Sequence, residues 1–156
     1  MATNTLLQYL ESTGEDAFGA SASLGANVSN RRQVETFIAS AAIAAGDAVA
    51  FDLSQTDDNL RSLRVLKADT DATTSKCFVG IALSPAAALG DRVNVCLAGP
   101  CVANIASGGG VGVPMMIGAT GGSLVDYSAG SVQSIAAHCA TTVAGGQATV
   151  IVHKQF

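Results

Sequence analysis

From Arg31 onward, apolar and polar positions alternate in short runs, the period of half-buried strands rather than of helices. Val34-Glu35-Thr36-Phe37-Ile38 alternates into the small-residue run Ala39 to Ala45, and Val49 to Leu53 alternates again. Ser54 to Asn59 reads as a polar loop. Arg61 to Ala68 predicts a strand with Leu63, Val65 and the stem of Lys67 on one face and Arg64 and Leu66 on the other. After the turn Asp69 to Lys76, the continuous apolar run Cys77 to Leu83 predicts a strand buried on both sides. Ser84-Pro85-Ala86-Ala87 has the cap and first-position proline of a single helical turn. Ala88 to Ile105 predicts a Gly-Asp turn, a strand, a turn at Gly99-Pro100 and a second strand. Beyond the glycine-rich stretch Ala106 to Gly112, the strands continue as Val113 to Gly118, Leu124 to Tyr127, Gln133 to Ala140 and Ala148 to His153. Pro114 suits a sheet edge or a strand's first residue. About ten short strands with glycine turns between them predict an all-β fold, a compact β-sandwich or β-barrel.

One unit repeats. Ala44 to Phe51 (AAGDAVAF) and Ala88 to Val95 (ALGDRVNV) each place small residues, a glycine, an aspartate and then a β-branched run, with a fainter third copy at Ala144 to Val152 (AGGQATVIV). The glycine supplies positive φ and the polar residue closes a turn that launches a strand.

The first 33 residues differ. After Asn4, Thr5 to Glu11 has the spacing of one or two helical turns with Leu6, Leu7 and Leu10 on one side. Glu15 to Asn30 has neither period and too little apolar density to offset its own ordering. The expectation is an N-terminal arm over residues 1–33 and a β-domain over 34–156. Leu6, Leu7, Tyr9, Leu10 and Phe18, with the basic pair Arg31 and Arg32 at the arm's base, are the residues expected to hold a partner surface. The arm packing over its own domain is the equally weighted alternative.

Composition narrows the function. Hydrophobic residues are 49 % of the chain, but aromatics only 4 % and charged residues 13 %. That charge content is about half the roughly 25 % of an average soluble domain, so part of the surface is expected to be covered by other subunits. Eight Lys and Arg against a net charge of −4 give no stripe for a phosphate backbone, so no nucleic-acid partner is expected. The longest apolar stretch, Phe37 to Ala45, is too short to span a bilayer, and no basic-then-apolar leader opens the sequence. A soluble chain made in the cytosol, with no membrane partner, is expected.

Reactive constellations are weak. Cys77, Cys96, Cys101 and Cys139 lack C-x-x-C spacing and sit in apolar runs, as core thiols do. Cys96 and Cys101 flank the expected Gly99-Pro100 turn and could pair across it in an oxidising setting; reduced thiols are expected. His138 and Cys139 are strand neighbours and point to opposite faces, so they make no nucleophile and base. Asp69-Thr70-Asp71 opens like a calcium loop, but Thr74 stands where its glycine belongs. The glycine clusters at 108–112 and 118–122 lack the Lys-Ser/Thr of a phosphate loop. No catalytic residue, metal site or cofactor is expected, and a structural or interaction protein is favoured over an enzyme.

The order IASAAIAAGDAVAFD, VLKAD, FVGIAL and GDRVNVCLAG over residues 34 to 153 resembles the small capsid decoration, or cement, proteins of tailed bacteriophages. The likeness is carried by Gly46-Asp47 and Gly90-Asp91, with Gly80-Ile81-Ala82 between them and Gly99 after the second. It implies a β-domain forming a homotrimer on the outer surface of an assembled head, where it bridges neighbouring major capsid proteins and stabilises the shell. A carbohydrate-binding or host-attachment β-module on the virion is the alternative from another class, with a Cys or His hydrolase the least favoured.

Overall fold

A computed structural model describes residues 32–70, 77–129 and 134–153. Nine strands form within them: β1 (Gln33–Ala39), β2 (Ala48–Phe51), β3 (Arg64–Lys67), β4 (Phe78–Ala82), β5 (Arg92–Ser107), β6 (Pro114–Ile117), β7 (Leu124–Asp126), β8 (Ala137–Cys139) and β9 (Gln147–Val152). One six-residue helix, α1 (Asp58–Leu63), precedes β3. The all-β expectation holds, and the choice left open between sandwich and barrel resolves to a barrel.

The strands pair in the order β1-β3-β2-β4-β5, and β5 returns to β1, which closes a five-stranded barrel. The remaining strands pair in the order β5-β7-β6-β8-β9, and β9 returns to β5, which makes a second five-membered ring. Both rings share β5, sixteen residues long. Its first half lies against β1 from Arg92 to Ala98, and its second half lies against β9 from Gly99 to Asn104.

The second ring repeats the first. If β1 to β5 are matched to β5 to β9 in order, every pairing keeps its direction: β1–β3 and β5–β7 are parallel, and the other four pairs in each ring are antiparallel. Loop hydrogen bonds repeat as well. Gly46 N–H donates to Ala82 O at 2.8 Å as Gly112 N–H does to Cys139 O, and Ala68 N–H donates to Ala48 O at 2.9 Å as Tyr127 N–H does to Pro114 O. Ala39 N–H to Asp91 O and Ile105 N–H to Gly146 O, both 2.8 Å, are a third such pair.

The repeating turn is the launch of each strand. Residues 44–47, 88–91 and 144–147 are turns closed by an N–H of the fourth residue to the carbonyl of the first, as the recurring sequence unit predicts, and 110–113 and 120–123 are built the same way. In all five the third residue is a glycine with positive φ, the value that a side chain would strain.

Alternation decides the cores. Phe37, Val49, Val65, Val79, Val93, Val95 and Leu97 fill the barrel. Cys101, Ala103, Ile105, Met115, Leu124, Val150 and Val152 fill the second ring, and their cluster continues into Ala48, Ala50, Phe78, Ile81 and Cys96 on the outer side of the barrel. The second ring therefore sits on the barrel's outer face, and β4, buried at all five positions, faces a core on each side.

Three local expectations are corrected. Gly99-Pro100 is no hairpin turn: β5 runs straight through it, with Gly99 at φ +97° where the strand leaves β1 and joins β9. Arg61 to Leu63 belong to α1, whose N-cap Asp57 accepts the Asn59 N–H at 2.8 Å, so the strand starts only at Arg64. Ser84 to Ala87 is extended rather than helical, because Ala86 pairs as a bridge with Ile43.

Candidate interaction surface

Among the residues expected to hold a partner, Leu6, Leu7, Tyr9, Leu10, Phe18 and Arg31 lie outside the described residues. Arg32 is described and exposed, and the chain enters the barrel there. It borders an open groove with Ala45, Gly46, Ala82, Leu83, Val102 and Gln147, where the two rings meet. The described chain therefore begins at the seam between the rings.

That seam is fastened by one buried carboxylate. Asp47, 5 % exposed, accepts the Ala44 N–H at 2.8 Å through Oδ2 and the Asn104 side-chain amide at 2.8 Å through Oδ1. Lys67 Nζ lies 3.0 Å from Oδ2. Asn104 N–H also donates to Gly46 O at 2.8 Å, and Gln147 Nε2 donates to Asn104 Oδ1 at 2.9 Å. On the other side of Asp47, Gly122 bridges β2 and the residue after β3, its carbonyl accepting the Ala48 N–H and its N–H donating to Ala68 O, both 2.7 Å. The aspartate that the sequence marks as a turn former thus also locks the second ring onto the first.

The outer face of the second ring has a different character. Pro100, Val102, Pro114, Met116, His138, Thr149 and Ile151 alternate with buried neighbours and point outward from β5, β6, β8 and β9. Register places Pro114 beside His138, His138 beside Ile151 and Ile151 beside Pro100. Val102 is 49 % and Ile151 48 % exposed. Between Val93 and His153 the only Asp, Glu, Lys or Arg is Asp126. Its carboxylate is turned to the loop between β5 and β6, accepting the Gly109 N–H at 2.7 Å. The other strands carry the charges: Glu35, Arg64, Lys67 and Arg92 all stand on β1, β3 or the start of β5. The sequence contains this asymmetry openly, but only the fold shows that the uncharged half is one side of the molecule.

His138 and His153 come together on this face, rings stacked with centroids 4.6 Å apart and Nδ1 of the first 2.7 Å from Nε2 of the second. The β8–β9 register makes them neighbours. No group of three or more His, Cys, Asp or Glu side chains gathers among the described residues. His138 is half-buried and Cys139 buried, on opposite sides of β8 as expected.

The four thiols are free, with Cys96, Cys101 and Cys139 buried and Cys77 half-buried. Cys96 and Cys101 meet despite the missing hairpin. A hydrogen bond from Cys101 holds the Cys96 thiol below its ordinary value, and that same contact, with burial, pushes Cys101 up. Burial, and then the Asp126 charge, raises Cys139. The upward shifts of Cys101 and Cys139 disfavour their thiolates, and burial closes Cys96 to reagents.

No protein-family model matches the sequence, and no curated protein matches it. The fold is similar to that of solved bacteriophage structures. The head fiber gp8.5 N base of bacteriophage phi29 aligns with a TM-score of 0.50 at 16 % identity, over 79 % of this chain and 95 % of that one. A chain of the capsid of Myoviridae phage XM1 aligns with a TM-score of 0.58 at 14 % identity, over 80 % of this chain and 85 % of that one. At such identities what is shared is the fold.

Proposed function

We propose that this chain is a capsid decoration protein, which binds the outside of an assembled phage head as a homotrimer and bridges neighbouring major capsid proteins. The observation that carries this reading is the fold held in common with a phage head-fiber base and a phage capsid chain. The lack of charge across one side of the domain agrees with it, because a surface that stays in water usually carries more.

In this reading residues 34–156 form the trimer and residues 1–33 dock on the shell through Leu6, Leu7, Tyr9, Leu10 and Phe18, with Arg31 and Arg32 at the base. Three arms on one rigid trimer bind at high effective concentration, so each needs only a modest affinity of its own. The work is adhesion and involves no reacting group. Of the described aromatics, Phe37 and Phe78 are buried and Phe51 and Tyr127 half-buried, which gives a sugar-stacking module little to stack with.

The test is co-sedimentation with undecorated heads. The full chain should pellet with them; the chain lacking residues 1–30 should keep its fold and oligomeric mass but stay in the supernatant. Failure of the full chain to bind any phage head would overturn the reading.

A further inference from the structure

The internal repeat says what should cover the second ring. In the barrel, the outward row Ala48, Ile81 and Cys96 is fully buried under the second ring. The matching positions one repeat later, fixed by the same ladder partners, are Pro114, His138 and Ile151. They form the equivalent face, equally free of Asp, Glu, Lys and Arg, and among the described residues no further ring lies on it. Val102, whose counterpart Thr36 stays exposed on the barrel, lies beside this row and adds to the apolar patch without being part of the repeated covered row.

We infer that this face, centred on Val102, His138 and Ile151, is the contact between copies of this chain. The inference rests on the homotrimer reading above and gives it a surface. A second copy is the occupant that the chemistry favours. Apart from Arg32, which lines the groove at its Val102 edge, the patch offers no Asp, Glu, Lys or Arg among the described residues to pair with a charged partner, and a partner's own charges would be desolvated against its centre without compensation. Copies of the same uncharged face leave nothing unpaired.

Pro114 also limits how copies meet. Its counterpart Ala48 donates its N–H to Gly122 O, extending the barrel's sheet into the second ring. A proline in that place has no N–H to give, so another chain cannot continue the sheet there. Contact must be made by side chains, and the repeat stops instead of propagating from copy to copy, as a closed assembly requires.

The experiment is light scattering on full-length protein over a concentration series, with head co-sedimentation in parallel. Wild type should give three times the 15.5 kDa chain mass. Val102→Glu with Ile151→Glu should raise the concentration needed for assembly by at least about 100-fold, since each buried unpaired charge costs several kcal/mol. Thr36→Glu, at the matching exposed place on the barrel, should leave assembly unchanged. If the double glutamate variant fails to fold, Val102→Ser with Ile151→Ser must still weaken assembly. A trimeric wild type whose face variants also remain trimeric overturns this inference alone, and if those trimers no longer bind heads the face belongs to the shell. A monomeric wild type overturns both this inference and the homotrimer. A trimer that the face variants dissociate, but that binds no head, sustains the inference and removes the decoration role.

Discussion

Asn104 donates its side-chain amide to the carboxylate of Asp47 at 2.8 Å, joining the second half of β5 to the turn that launches β2. The two residues are 57 positions apart, and the contact lies where the two five-stranded rings that share β5 meet. Removing the carboxylate would strand the Ala44 N–H, leave the Asn104 amide with only its longer bond to Ala45 O, and take the partner from Lys67. Asp47→Ala is therefore expected to cost about 2–3 kcal/mol, and Asn104→Ala about 1–2 kcal/mol. The double variant should cost less than the sum, because the shared bond is lost once. Urea unfolding of the four proteins measures this; strict additivity would mean the bond contributes nothing.

Two glycines separate crowding from backbone strain. At Gly80 an added Cβ would overlap the backbone carbonyl of Cys96, which cannot move without disturbing the β4–β5 ladder, and would crowd the buried Val95 side chain. Gly80→Ala is expected to cost about 3 kcal/mol or more, with loss of soluble expression. At Gly90 nothing lies within 4 Å, and only the φ of +94° resists a side chain. Gly90→Ala should cost about 1–2 kcal/mol and leave a folded protein. Equal losses in thermal melts of the two variants would count against both explanations.

Much of this was legible beforehand because strands announce themselves two residues at a time. Val49, Val65, Val93 and Val95 fall on the buried side that alternation assigns them, and Cys77 to Leu83, read as buried on both faces, contains β4. The Gly99-Pro100 pair misled because a glycine of positive φ before a residue without an N–H usually marks a reversal. Here it marks the place where one strand changes partners, which no local pattern encodes. The helix α1 was missed because none of its residues is buried, so no apolar period exists to read. The pairing of His138 with His153, and the gathering of uncharged positions on one face, depend on register between β8, β9 and β5 and could not be seen along the chain.

The thiols should separate by accessibility. With a disulfide reagent under native conditions, Cys77 is expected to react on mixing, while Cys96, Cys101 and Cys139 should react only as the protein unfolds. Counting thiols released before and after adding denaturant checks this. Rapid release of more than one equivalent from the native protein would show that the cores open more freely than their packing implies.

Acid should act through Asp52. This carboxylate, 3 % exposed, is pushed upward by burial, but hydrogen bonds from Ser40 at 2.6 Å, Ser54 at 2.6 Å and Gln55 at 2.6 Å, with the Ser54 N–H at 3.1 Å, more than reverse that and hold it below the ordinary value. The folded state therefore binds its proton less tightly than the unfolded chain does. A group lowered in this way stabilises the fold fully above its unfolded value of roughly 4, and that contribution drains away as pH falls through the folded value. Asp52→Asn removes the titration but keeps the shape. Its unfolding free energy should lie below wild type near neutrality and fall less steeply between about pH 5 and pH 2, so the two curves converge in acid. Because Ser40 follows β1, and Asp52 follows β2, the loss should first loosen the barrel end where those strands finish, seen as faster amide exchange at Ser40 and Asp52. Parallel pH profiles for the two proteins would mean that the bonds around Asp52 hold its protonated and ionised forms equally well.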